Sequence, residues 1–359
     1  MKFSNFLFPE SKVPTGDFDV IDESLKEAEL TEALGYDALW LAEHHFDGGC
    51  AYVDPITFAS AVAAKTSRLK IGFAVAQMAL HHPVRFAEQI ALIDNISGGR
   101  VIVGVGRGTA YNFYEFRGYG IDPSDAHEML LEVEEVLVKA WTSENFKHDG
   151  KYWNVEIPLL RPQVYQKPHP PIIRACSGLE STLQMAREGR PFLMNIQSDE
   201  VTQQRLDLYK STMLKVGYKD EDIAKNVADS WAWRNIFVAD TDSEAEKIGI
   251  PYFREMRSYL SGNRTRMNTT EEIESQLRVV TGAARESVDH GLIFGSPETV
   301  CERLKALNDT GIGGLIIHFR LGAMPYSLAA RSIQLFAEKV APNFSNQSIG
   351  SSPYSPDKI

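Results

Sequence analysis

The side chains best suited to chemistry stand together at Glu43-His44-His45. The apolar run Leu39-Trp40-Leu41-Ala42 leads into them, and Asp47-Gly48-Gly49 follows. The run reads as a buried strand, which leaves a carboxylate and two imidazoles where the chain quits the sheet. The carboxyl end of a parallel strand is where α/β enzymes place their chemistry. An imidazole near its ordinary pKa can take or give a proton at neutral pH. The plainer reading is a surface turn with two incidental histidines, and the stretch alone divides evenly between the two. Adjacent residues on extended chain face opposite ways, so His44 and His45 are poorly placed to share one metal ion, and no metal is expected.

The elements that must position this stretch follow a rhythm. Strands are expected at 2–8, 37–42, 69–76 and 100–106. Between them lie helices at 22–34, closed by Gly35, at 55–65 and at 83–96. A strand and a helix alternating every 30–35 residues call for parallel strands joined by right-handed crossovers. An acidic helix at 126–142 and a hairpin over 146–157, turning at Asp149-Gly150, come next. Strands at 172–176, 191–196, 232–239 and 314–319 then alternate with helices at 179–188, 199–216, 243–260 and 297–307. Eight strands close most naturally as a (β/α)8 TIM barrel with insertions on its loop face, one domain spanning 1–342. The polar stretch 261–290 breaks the rhythm and reads as a mobile lid. After a closing helix at 327–340, the Ser/Pro-rich stretch 343–359 reads as a flexible tail.

Bulk composition narrows the function. The 359 residues are 43% hydrophobic and carry a net charge of −11, with no Lys/Arg block, which argues against nucleic acid. No long apolar run suggests a signal peptide or a membrane span. Cys50, Cys176 and Cys301 are scattered and form no CxxC, so a cytoplasmic chain with reduced thiols is expected. Helices 55–65 and 83–96 look too apolar for solvent and are expected to form a homodimer face.

Several motifs, taken in order, resemble the bacterial luciferase-like flavin monooxygenases. They are MKFSNFLF at the start, Glu43-His44-His45-Phe46, His82-Pro83-Val84-Arg85, the run from Leu92 to Arg100, Gly106-Arg107-Gly108 and Gly295-Ser296-Pro297-Glu298. The resemblance implies a barrel that binds reduced FMN, delivered by a separate flavin reductase, at the carboxyl ends of its strands. It further implies reaction with molecular oxygen through a flavin hydroperoxide to oxygenate a small organic substrate, an aldehyde, ketone or similar. Close rivals are a relative that uses a deazaflavin coenzyme for hydride transfer and a non-catalytic flavin-binding subunit. Retention of His44 and Arg107 argues against the latter.

The resemblance places the active-site imidazole at His44, with His45 as its packing or supporting partner. Glu43 then meets a flavin ring N–H or orients His44; its plainer role is a buried carboxylate on a backbone amide. Arg107, between two glycines that allow close approach, falls at the FMN phosphate. The Gly104–Gly108 run fails the dinucleotide spacing because Thr109 stands where a glycine is needed. Cys176, Ser177, Gly178 and Ser181 end a strand and open a helix, a ready anion site, although Ser177 as a simple helix cap needs the same residue type. Ala74 and Val75 support the flavin ring in the family, and Asn195 ends a strand within reach of the ring edge or substrate. Tyr111, Asn112, Phe113, Tyr114 and Phe116 form an aromatic cluster able to wall a pocket, pack the loop or make a subunit contact. Where light-emitting relatives carry cysteine, this chain has Gly106, and light emission is not expected.

Overall fold

The computed structural model describes residues 1–109, 111–277 and 288–344. Eight parallel strands close on themselves: β1 (Lys2–Leu7), β2 (Ala38–Leu41), β3 (Lys70–Phe73), β4 (Val101–Gly106), β5 (Ile172–Cys176), β6 (Phe192–Met194), β7 (Trp231–Val238) and β8 (Gly314–His318). Each pairs with the next, and β8 returns to β1, with Lys2 opposite Gly314. All eight fall on the segments expected from the sequence. A further short strand, Leu292–Gly295, extends the outer half of β7 and breaks no barrel pairing.

The barrel interior is packed with bulk on one strand and space on its neighbour. Trp40 of β2 faces Gly72 of β3, and Trp231 of β7 faces Gly314 of β8. A methyl added at Gly72 would stand 2.4 Å from the Trp40 ring, and one at Gly314 only 2.2 Å from Trp231. The two indoles meet edge to face with centroids 5.4 Å apart. Trp40 Nε1 donates to Ser4 Oγ at 2.9 Å, and that hydroxyl donates to the Leu315 carbonyl at 2.9 Å. Truncating such a buried indole costs about 3–5 kcal/mol.

Helix ends follow the sequence signals. Asp54 caps Pro55–Lys65 by accepting from the amides of Ile56 and Thr57, and Pro55 supplies the first turn. Gly98 and Gly189 close the helices Pro83–Ser97 and Leu179–Glu188 in left-handed conformation. The hairpin pairs Phe146–Asp149 with Asn154–Ile157.

Two local differences bear on the site. The expected strand 69–76 is interrupted at Ala74-Val75, whose peptide bond is cis, and resumes at Ala76–Gln77. Gly72 faces Ile102 and Ala76 faces Val105, so four steps oppose three. That extra residue is a bulge, a device that re-aims side chains beside functional sites.

The stretch read as a mobile lid is helical over 261–267 and 270–277. The helix expected to stop at Leu260 runs from Asp242 to Met267, and a second helix follows at Thr270–Leu277. Ser261-Gly262 looks like a stop in sequence, but tertiary contacts carry the helix onward. Asn263 donates to the Asp47 carbonyl at 3.0 Å, and Arg264 Nε donates to Asn112 Oδ1 at 3.0 Å. The remainder of that call, 278–287, and the tail from 345 onward lie outside the described residues.

Candidate active site

The carboxyl ends of the strands converge on two buried carboxylates, Glu43 after β2 and Glu115 on the short helix Phe113–Gly118 after β4. Each carries histidine. His44 Nδ1 lies 2.8 Å from Glu115 Oε1, whereas His45 Nε2 lies 3.0 Å from Glu43 Oε1. The adjacent imidazoles thus face opposite ways. His81, arriving after the bulge, brings its Nε2 within 2.9 Å of the same Glu43 oxygen.

Gln77 joins the two halves. Its main-chain amide donates to Glu43 Oε2 at 2.5 Å, and its Nε2 donates to the Glu43 carbonyl at 2.9 Å and to Glu115 Oε2 at 3.0 Å. Glu115 also accepts from the His45 amide and from Asn112 Nδ2. Tyr119 OH lies 3.2 Å from His45 Nδ1. Phe46, directly after the histidines, holds φ +70°, an uncommon left-handed setting that local packing against Tyr119 maintains.

Electrostatics follow from this geometry. Burial drives the Glu43 carboxyl upward, but the His81 charge and the hydrogen bonds from His45, His81 and Gln77 outweigh it and hold it at about 2. Burial opposes a charged imidazole at His81, yet Glu43 raises its pKa. His44 behaves alike: burial lowers it, Glu115 raises it more, and the net shift is upward. Glu115 is correspondingly held below the ordinary carboxylate range, its donors exceeding the cost of burial. Glu115 engages Nδ1 of the His44 ring, which leaves Nε2 as the nitrogen on the side away from that carboxylate.

His44 lines a cavity of about 110 Å³ at the barrel mouth. Phe8, Tyr111, Asn112 and Ile196 wall it, and Met256, Leu260 and Arg264 of the helix 242–267 roof it. Trp233, Asn235 and His318 form the side contributed by β7 and β8.

The other expected site residues divide by location. Ala74 and Val75 sit half-buried at the bulge, and a methyl on Gly106 would stand 2.6 Å from Val75 Cγ2. The register that sets Val105 beside Arg174 carries Arg107 to the level of Cys176 on the neighbouring strand. Arg107 itself is exposed and lines an outer hollow of about 470 Å³ with Arg117, Ser124 and Glu272. Cys176 is buried, and burial pushes its thiol up to about 11, which leaves it poorly suited as a nucleophile. Asn195 accepts from Gln197 at 3.0 Å. Glu43 is almost wholly enclosed by His45, His81 and Gln77, and the carboxylate that orients His44 is Glu115.

A phosphate-bearing cofactor can be tested against the β5 end. Gly178 caps the ten-residue helix Leu179–Glu188, and a methyl added there would meet nothing within 4 Å. Ser177 beside it is exposed. Arg205 donates through Nη2 to the Ser177 carbonyl at 3.2 Å, while its Nη1 is shielded without a partner. An open helix N-terminus with an orphaned guanidinium nitrogen beside it fits an anion.

Glu115, Gln77, His81 and Arg205 were not singled out from sequence. Glu115 alone had a usable signal, as the one acid within the aromatic run 111–116.

Buried carboxylate–histidine pairs and an open helix N-terminus both lie at the carboxyl ends of the strands, where barrel enzymes carry their chemistry. The chain belongs to the luciferase-like monooxygenases, whose family model matches residues 1–313. It is thereby an oxidoreductase. It is 25% identical over 355 residues to a limonene 1,2-monooxygenase of Rhodococcus erythropolis, covering 95% of this chain and 86% of the relative. It is also 25% identical to the oxygenase component of a flavin-dependent trigonelline monooxygenase of Acinetobacter baylyi, covering 91% of each. The monooxygenase RslO1 of Streptomyces bottropensis superposes with a TM-score of 0.78 at 26% identity, over 96% of this chain and 100% of that one. An F420-dependent secondary alcohol dehydrogenase shares the fold at a TM-score of 0.71 and 15% identity, over 96% of this chain and 99% of that one. The barrel alone therefore does not choose the cofactor. Among the described residues, no helix is long and apolar enough to cross a membrane.

Proposed function

We propose that this chain is the oxygenase component of a two-component system, accepting reduced FMN from a separate reductase and oxygenating a small organic aldehyde, ketone or similar molecule. The observation that carries this reading is the His44–Glu115 pair, which sets a proton-handling imidazole in the wall of the barrel-mouth cavity. Bound reduced FMN would supply the two electrons that let dioxygen give one oxygen atom to the substrate and the other to water. The chain's own residues do the rest. His44 Nε2 holds or releases a proton at the cavity wall, and Glu115 keeps the ring oriented and its charged form favoured. Glu43, His45, His81 and Gln77 brace the segment that carries Ala74 and Val75 behind the ring. Ser177, Gly178, Ser181 and Arg205, with Arg107 on the adjacent strand end, hold the phosphate, and the amide of Cys176 contributes there. Asn195 meets the ring edge or the substrate. The helix 242–267 roofs the cavity and excludes water.

A homodimer belongs to the same proposal. Leu92 and Ile96 are exposed on Pro83–Ser97 and support that helix as the contact, whereas Pro55–Lys65 buries most of its apolar residues against the barrel.

The deciding experiment has two parts. Anaerobic titration compares reduced FMN with reduced riboflavin, which lacks the phosphate, and with reduced deazaflavin coenzyme. Labelled dioxygen is then followed into products of an aldehyde and ketone panel, with reduced FMN supplied by a reductase. Tighter binding of FMN and label in the product support the proposal. Preference for deazaflavin with no label incorporated would replace it by hydride transfer.

A further inference from the structure

The roof of the cavity carries two guanidinium groups. Arg257 and Arg264 stand on the helix 242–267, and both line the cavity that holds His44. Their spacing is close to two helical turns, so they fall on one face of the helix, with Leu260 between them. Both are half-buried. Arg264 is fixed in place: its Nε donates to Asn112 Oδ1 at 3.0 Å, and its guanidinium carbon lies 4.2 Å from the centre of the Tyr111 ring. The same Asn112 brings its Nδ2 to 3.3 Å from His44 Nδ1 and 3.2 Å from Glu115 Oε1. One amide therefore spans the gap between Arg264 and His44.

Among the described lining residues, these two cations stand against a single carboxylate, Asp47. Its oxygens accept from the Gly49 amide at 2.7 Å and the Tyr114 hydroxyl at 2.8 Å. His44 in its charged form is matched by Glu115 at 2.8 Å, and Glu255 on the same helix is taken by Lys12. The lining is thus cationic in a chain whose net charge is −11, and an anion is its complement. A planar guanidinium fork matches a carboxylate in particular. Phe8, Ile196, Met256 and Leu260 supply an apolar remainder. At about 110 Å³ the cavity is far smaller than the roughly 300–1,000 Å³ that drug-sized ligands occupy, so a short molecule fits it. Resting on the proposal that this cavity is the substrate site, we infer that Arg257 and Arg264 bind a carboxylate on the substrate, which selects short oxo acids over their neutral counterparts.

The test measures equilibrium binding of 4-oxopentanoate and its neutral amide, 4-oxopentanamide, to the full chain by calorimetry, with and without oxidised FMN. Hydrogen bonds to a charged partner support a preference of roughly tenfold or more for the acid. Arg257→Met and Arg264→Met each keep an apolar stem and remove the charge. Each should cut the preference to below about threefold, by weakening the acid while binding of the amide holds. Arg264 also ties the roof to Asn112, so Arg257→Met decides alone if Arg264→Met fails to fold. Equal affinity for acid and amide, binding of neither, or a preference that survives in Arg257→Met overturns the inference. So does displacement of the acid by FMN, with FMN weakened more than riboflavin in Arg257→Met, which would give the arginines to the cofactor phosphate. Because binding is read without turnover, a retained preference with no labelled oxygen in the product would instead overturn the oxygenase proposal and leave carboxylate recognition standing. Label entering neutral ketones with no preference for the acid would do the reverse.

Discussion

Replacing Glu10 by glutamine should stabilise the protein, and the gain should grow as pH rises. Glu10 follows Phe8-Pro9 at the end of β1, is only 3% exposed, and neither carboxylate oxygen has a partner. Burial pushes its pKa from 4.5 up to about 8; Lys12 opposes this, while Glu255 and Asp47 add to it. Between those two values the folded chain keeps a proton that the unfolded chain releases, so stability falls with rising pH across that window. Each pH unit in it costs about 1.4 kcal/mol, so the cost at neutral pH is on the order of 3 kcal/mol, rising to on the order of 5 kcal/mol above pH 8. Glutamine copies the shape of the protonated acid and removes the titration. Urea unfolding of both proteins from pH 5 to 9 should give curves that meet at the acid end and diverge steadily upward. Curves that run parallel across the range, or a variant weaker at pH 8, would refute a buried neutral acid at this position.

Three further outcomes follow from the site. Glu115→Gln removes the charge that raises the His44 pKa, so the limb of the pH–rate profile set by His44 should move to lower pH and turnover should fall, with reduced FMN affinity little changed; an unmoved limb would detach His44 from Glu115. Gly106→Cys places a Cβ 2.6 Å from Val75 Cγ2 at the bulge, so flavin affinity measured by anaerobic titration should drop by about tenfold or more, and unaltered affinity would place the ring elsewhere. Arg205→Met should weaken FMN by roughly tenfold while leaving riboflavin nearly unaffected, because only FMN carries the anion; equal losses for both would mean a structural role.

Much of the scaffold was legible in the sequence because its signals are local. Strand runs such as Val101–Gly106 are continuously apolar, as parallel strands buried on both faces must be. Pro55, Pro83 and Pro297 mark helix starts, and Gly35, Gly98 and Gly189 mark ends, whatever lies elsewhere in the chain. His44 was visible for the same reason, since a strand end followed by titratable groups and glycines is a short-range pattern. The phosphate candidates were visible as a strand running into a helix N-terminus.

The tertiary structure decided who meets whom. Nothing near Glu115 announces that it will orient a histidine 71 positions earlier, or that Gln77 will bridge two acids from different loops. The bulge at Ala74-Val75 that delivers Gln77 and His81 arises from register against β4, a property of the pair and not of either strand. The helix running to Met267 survives a weak Ser-Gly stretch because Asn263 and Arg264 find partners after β2 and β4. Glu10, just past β1, is buried only because the closed barrel covers it, and His318 at the end of β8 is buried beside Asn235 in the same way. Periodicity and caps are written into neighbouring residues, so the sequence by itself determined the barrel and marked the strand end where His44 stands as a candidate site. Partnerships between charged groups depend on closure of the barrel, which brings distant loops to one mouth and strips away the water that would otherwise have satisfied them.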